Sequence, residues 1–145
     1  MIDCENYIYT QLRNAVKAEY PDADFSSVYV NEPMSALHIS VEMRSNKEAW
    51  NTIDSSGLEQ YADMMIEVNV YSTKPNTAKS EAKGVIQIIS NTMKSMNFVR
   101  IFCSPVPNLD RGDRSAKSNN NSGAVYRLLA QFEGTAGADN TFYRR

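Results

Sequence analysis

The sequence predicts an α+β domain: a mainly antiparallel sheet with two helices packed on one face. Three observations carry that prediction. Two segments repeat apolar residues at three- and four-residue steps, and several others alternate apolar with polar residues. The order is helix, strands, helix, strands, so the helix between every pair of strands that a parallel βαβ series needs is missing. The clean alternation within each strand predicts a sheet covered on one side only. With 145 residues, 42% of them hydrophobic, the chain has the length and apolar content of one folded domain, residues 1–145.

Asp3 is placed to cap a first helix, with Glu5 in its first turn and Ile8, Leu12, Ala15 and Val16 along one stripe. That helix should end at Tyr20, because Pro21 disfavours helical geometry in the residue before it. Pro21 to Asp24 reads as a turn, and Val28-Tyr29-Val30 as a short strand broken by Asn31-Glu32-Pro33. Leu37, Ile39, Val41 and Met43 then alternate with His38, Ser40, Glu42 and Arg44. A second alternating strand places Met64, Ile66, Val68 and Val70 against Glu67, Asn69 and Tyr71. Between them, residues 44–60 form a polar arm whose large apolar side chains are Trp50, Ile53 and Leu58, and the two strands read as an extended hairpin.

Pro75 opens a second helix, with Ala78, Ala82, Val85, Ile89, Met93 and Met96 on its apolar stripe. Phe98 to Cys103 reads as a strand with Val99, Ile101 and Cys103 on one face and Phe98, Arg100 and Phe102 on the other. A second polar arm, residues 104–122, follows. Val125 to Glu133 is a further strand with Tyr126, Leu128, Ala130 and Phe132 on one side. Gly134 to Asn140 reads as a loop of small and polar residues, and Thr141-Phe142-Tyr143 as a last edge strand.

Composition narrows the function. The formal charge of −2 disfavours a general nucleic-acid binder, which is normally basic. No stretch reaches the roughly 18 apolar residues of a membrane span. The acidic start Met1-Ile2-Asp3-Cys4-Glu5 lacks the order of a secretion signal, so a cytosolic product with Cys4 and Cys103 reduced is expected. Two distant cysteines and one histidine do not make a zinc site. Any Ser-His-Asp or Cys-His pair would have to use His38, which the alternation places on the polar, surface face of its strand. The six glycines form no phosphate loop, Asp22 and Asp24 read as a solvated turn, and the methionines fall in core stripes. Arg111-Gly112-Asp113 matches an integrin-recognition tripeptide, a three-residue match of the kind chance supplies. No catalytic residue, cofactor site or metal site is predicted.

The candidate contacts lie in the arms and tail. Trp50, alone in a polar loop, either tucks back onto the domain or anchors a partner. Residues 1–95 carry 8 basic and 13 acidic side chains, whereas residues 96–145 carry 7 basic and 4 acidic. Opposed charges on different surfaces of one subunit favour head-to-tail contacts, which close into rings when the rotation permits. Arg111, Asp113, Arg114, Lys117, Arg144 and Arg145, with Trp50, are the assembly-contact candidates.

Several segments resemble the tail terminator proteins, also called tail completion or tail-to-head joining proteins, of long-tailed phages and prophages of Gram-positive bacteria. The resemblance rests on Val28-Tyr29-Val30-Asn31-Glu32-Pro33, Val68-Asn69-Val70-Tyr71-Ser72, Ala82-Lys83 and Met96-Asn97-Phe98-Val99-Arg100. Pro105-Val106-Pro107-Asn108-Leu109-Asp110, Tyr126-Arg127 and Tyr143-Arg144-Arg145 complete it. The chain departs from that pattern in two places: Arg111 to Ala124 is inserted, and Asn97 stands where a glycine is common. Both residue types tolerate a left-handed helix end.

The resemblance implies a homo-hexameric ring on the last ring of the tail tube, stopping tube growth and meeting the head connector. The implied partners are other copies of the chain, the tail tube protein and the connector protein. The implied place is the head-proximal end of the virion tail, reached from the host cytoplasm. A head-completion or connector adaptor is the sister reading. Two other classes are a small ligand-binding domain using His38 and carboxylates such as Asp110, and a nucleic-acid contact through Arg111, Arg114 and Lys117.

Overall fold

Ile8, Leu12 and Val16 recur at helical spacing, and all three are fully buried along α1 (Glu5–Lys17). The N-cap position is Cys4, with no side-chain cap bond, one residue after the predicted Asp3; Asp3 Oδ1 accepts the Glu5 N–H at 3.0 Å from the position before the cap. Regular helix ends at Lys17, three residues before the predicted stop. The Glu19 N–H donates to Val16 at 3.1 Å in a tighter turn, and the Tyr20 N–H still reaches Val16 at 2.8 Å before Pro21. The second helix, α2 (Ala78–Ser95), begins three residues after Pro75 and buries Ala82, Val85, Ile86, Ile89 and Met93. Its end is a Schellman turn. Asn97 sits at φ 64°, its N–H donates to Lys94, and the Phe98 N–H donates to Met93, both at 2.9 Å. The asparagine in place of glycine therefore makes the left-handed turn expected of it.

The computed structural model describes residues 2–28, 36–48, 61–73, 77–106, 126–137 and 140–143. Six strands make one sheet: β1 (Asp24–Ser26), β2 (Leu37–Glu48), β3 (Tyr61–Ser72), β4 (Val99–Pro105), β5 (Tyr126–Gly137) and β6 (Phe142–Tyr143). Their order is β1-β2-β3-β5-β4, with β6 on the same side of β5 as β4 but farther along it. The β2–β3 hairpin is antiparallel from Leu37↔Ser72 to Glu48↔Ala62. The first five residues of the predicted 44–60 arm are therefore strand, as are Ser104 and Pro105 of the 104–122 arm. The predicted strand at Val28 is absent at Val28 itself. The short strand lies at Asp24–Ser26 instead, paired parallel to β2, while Tyr29 and Val30 lie outside the described residues.

The sheet is mainly antiparallel, as predicted, with one parallel relation inside it. Both β3 and β4 run antiparallel to β5, which makes them parallel to each other across it. Helix α2 is thus the crossover of a split βαβ unit into which β5 is inserted. The core lies between the helices and the face carrying Ile39, Val41, Met64, Ile66, Val68, Val70, Leu128, Ala130 and Phe132.

Two bulges depart from strict alternation. One falls between Arg100 and Phe102 in β4, so Val99 and Phe102 share one face while Arg100 and Cys103 share the helix-covered face. The predicted grouping of Val99 with Cys103 is corrected by this single extra residue. The other bulge lies between Met43 and Ser45. There the Met43 N–H donates to the Glu5 carboxylate at 2.7 Å, and Asn46 Nδ2 donates to the Ile2 carbonyl at 2.6 Å, so the start of α1 is docked onto the bulge.

Strand β5 also runs four residues past its predicted end, to Gly137. A side chain at Gly134 would collide with Phe98, since a Cβ there would lie 2.7 Å from two ring atoms. Phe98 is held in turn by the Phe142 ring, 5.6 Å away at 65°, and Phe142 by Tyr7. With the ring pinned on both sides, Gly134→Ala should destabilise the domain by about 1–3 kcal/mol through overpacking. Urea unfolding measures this, and an unchanged midpoint would contradict the packing.

Candidate interaction surface

The assembly-contact candidates read from sequence, Trp50, Arg111, Asp113, Arg114, Lys117, Arg144 and Arg145, lie outside the described residues, as do Asp110 and the rest of both arms. The described part carries three other polar features: a histidine cluster, a buried carboxylate and two sheet edges of opposite charge.

His38 is not a surface histidine. It is 5% exposed on the face opposite the helices. The register sets it beside Asp24 of β1 and Tyr71 of β3. Its Nδ1 lies 3.5 Å from Asp24 Oδ2, its Nε2 lies 3.0 Å from Ser26 Oγ, and its ring meets Tyr71 edge-on at 5.9 Å. Ser26 Oγ also donates to the Val28 carbonyl at 2.8 Å, whereas Nδ1 and Asp24 make an electrostatic contact without a hydrogen bond. In this arrangement the cluster fastens the three-residue strand β1 to β2.

The same face buries Ser40, Glu67 and Asn69 as well, which corrects the expectation of a sheet covered on one side only. Long side chains from the flanking strands close over the centre. Arg127 donates to Asn69 at 2.9 Å and lies 5.6 Å from the Tyr71 ring centre. Glu42 and Glu67 are direct cross-strand neighbours, a like-charge pair that would repel. Arg44, displaced by the bulge, bridges them: its nitrogens lie 2.8 Å from Glu42 and 2.8–2.9 Å from Glu67. Gln131 donates to the other Glu67 oxygen at 3.2 Å. The hydrogen bond to Glu67 raises the Arg44 pKa above its ordinary value, so the cation is permanent.

The sheet edges are less closed. Among the described residues nothing pairs with the outer edge of β4, and Val99, Ile101 and Phe102 are 58%, 47% and 48% exposed. An unpaired edge with that much apolar surface is what natural sheets ordinarily blunt or cover. On the helix side of the same edge runs a groove of about 430 Å³ between α2 and β4. Among the described residues its lining carries Lys79, Lys83 and Arg100 and no acidic side chain, above Ile86, Leu128 and Pro105. Tyr126 also lines it, with a buried hydroxyl that has no hydrogen-bond partner among the described residues. A second hollow continues past Arg100 to Lys94. At the opposite edge, beside β1, the turn from Glu19 to Ala23 and the start of β2 line a hollow of about 260 Å³ that carries Glu19 and Asp22 and no cation.

The sequence matches no known protein family and no curated protein. Among the described residues, no helix is long and apolar enough to cross a membrane, and no three His, Cys, Asp or Glu side chains converge as metal ligands.

The alternation of β2 and β3 already showed that His38 and Tyr71 share the second face. It could not show that Asp24 and Ser26 would join them, because β1 is too short and polar to leave a periodic signal. The β4 edge had a legible signal, the run Val-Arg-Ile-Phe-Cys, but read as an ordinary strand it gave no hint of ending the sheet.

Two outcomes follow. Arg44→Met should cost about 1–3 kcal/mol by leaving the buried Glu67 carboxylate unpaired, a figure reduced from the full burial penalty because Arg44 is itself half exposed. Adding Glu67→Gln should recover part of it in urea unfolding. Cys4 is buried, and burial, reinforced by the Asp3 carboxylate, pushes its pKa up, whereas Cys103 is exposed. A thiol reagent at neutral pH should therefore modify Cys103 in the folded, dilute monomer and Cys4 only after denaturation, as resolved by peptide mass spectrometry.

Proposed function

We propose that this chain is a structural subunit of a phage tail, a tail-terminator-like protein whose copies form a ring on the tail tube. The ring stops tube polymerisation and presents a surface to the head connector. It would act at the head-proximal end of the virion tail after assembly in the host cytoplasm. The observation that carries the reading is the apolar edge of β4, which pairs with nothing among the described residues. A sheet edge recruits another chain through backbone hydrogen bonds, with exposed side chains setting specificity. The ordered resemblance of short motifs along the chain supports the same reading.

Heterologous contacts between opposite edges of a subunit generate rings when the rotation closes, whereas face-to-face contacts stop at dimers. A sheet with one basic and one acidic edge suits the first kind. A head-completion or connector adaptor would use the same surfaces and differs only in its neighbours.

Deleting the gene from a producing phage should give tails that grow past their usual length or fail to join heads, scored by negative-stain electron microscopy. The purified protein should cap isolated tail tubes. Normal tails of fixed length after deletion would refute the proposal, and co-purification with heads instead of tails would select the adaptor.

A further inference from the structure

We infer that the basic groove between α2 and β4 is one half of the contact between copies, and that its occupant is the acidic turn Glu19–Asp24 of the next copy. The inference rests on the assembly reading above and deepens it by naming the two surfaces. The groove offers Lys79, Lys83 and Arg100 with no acid among its described lining residues, and Lys94 extends the positive strip along α2. Arg100 is anchored only lightly, 3.4 Å from Ser90 Oγ. The Tyr126 hydroxyl lies buried under the groove and has no hydrogen-bond partner among the described residues.

The turn supplies the complement: Glu19, Asp22 and Asp24 within six residues, all exposed. The Ala23 N–H donates to the Tyr20 carbonyl at 3.0 Å, and buried Ala23 roots the turn in the core, so its carboxylates are presented on a formed loop. The sign matches: Asp24 faces His38 of its own chain, so Glu19 and Asp22 are the carboxylates offered to the cations of the groove.

The two surfaces lie at opposite ends of the strand order, β1 at one edge and β4 at the other. One copy therefore cannot satisfy both with a single partner, and each copy must receive a turn at one edge and offer its own at the other. Exposed Val99 and Phe102 on the other face of β4, with Ile101 at the bulge, supply apolar area that the incoming edge would cover. The charges supply register and orientation, and the apolar strand supplies most of the affinity.

The test is a charge swap in the full chain. One variant carries Lys79→Glu and Lys83→Glu; the other carries Glu19→Lys and Asp22→Lys. All four positions are exposed, and circular dichroism confirms that each variant is folded. Asp24 is left intact because it faces His38. Self-association is read by sedimentation velocity across a salt series, and capping by counting closed ends of isolated tail tubes.

The wild type should self-associate, more weakly as salt rises. Each variant alone should associate on the order of tenfold more weakly or not at all. Mixed together, the two should associate again, because each then offers the charge that the other lacks. Cys103, which lines the groove, should be labelled in the separate variants and protected in the mixture.

Variants that associate and cap tubes like the wild type would overturn the inference while leaving the proposed function standing. So would variants that keep self-association and lose only capping, since the groove would then hold a segment of the tube protein. A mixture that stays monomeric also overturns it. A wild type that neither self-associates nor caps tubes would remove both.

Discussion

The structure depends on one constraint: β3 lies at the centre of the sheet and must be dry on both faces, although half of its side chains are polar. Its front face meets this by hydrophobic burial of Met64, Ile66, Val68 and Val70 under the helices. Its back face carries Glu67, Asn69 and Tyr71, and there burial costs free energy unless every charge and amide finds a partner. The flanking strands answer residue by residue, Arg44 and Gln131 for Glu67, Arg127 for Asn69 and Tyr71. The bulge in β2 follows from the same need, because it lets Arg44 stand between two carboxylates that register forces together. The backbone donor loosened there is recovered by Glu5, which ties α1 to the sheet.

Satisfying the centre leaves the periphery. Strand β1 is held by Phe25 against the core and by the histidine, serine and aspartate on its other side, and β4 is exposed along most of its length. The extra residue in β4 sends Arg100 and Cys103 toward α2 and leaves Val99 and Phe102 on the other side. One edge thus becomes basic toward the helices and apolar behind, while the opposite edge ends in an acidic turn. Among the described residues neither edge strand has a further partner, and that is what the assembly proposal explains.

The charge asymmetry shows how sequence and structure differ as sources. Counted along the chain, acid dominates the first 95 residues and base the last 50. In space the division is different: Lys79, Lys83 and Lys94 belong to the acidic stretch by number, yet stand with Arg100 at the basic edge. The crossover α2 moves them there, because it must span from β3 to β4 over the inserted β5.

What the sequence determined by itself was whatever repeats locally. Helical stripes and two-residue alternation identified both helices, the β2–β3 hairpin, the apolar face of β5 and the terminal edge strand. Those signals survive without coordinates because each reports burial against a single flat surface. What only the tertiary structure decided was non-local: the burial of His38, the pairing of β1 with β2, the insertion of β5 between β3 and β4, and the two bulges. Each of these depends on which residues distant in sequence become neighbours, and the closing of a loop leaves no periodic trace in the residues that it joins.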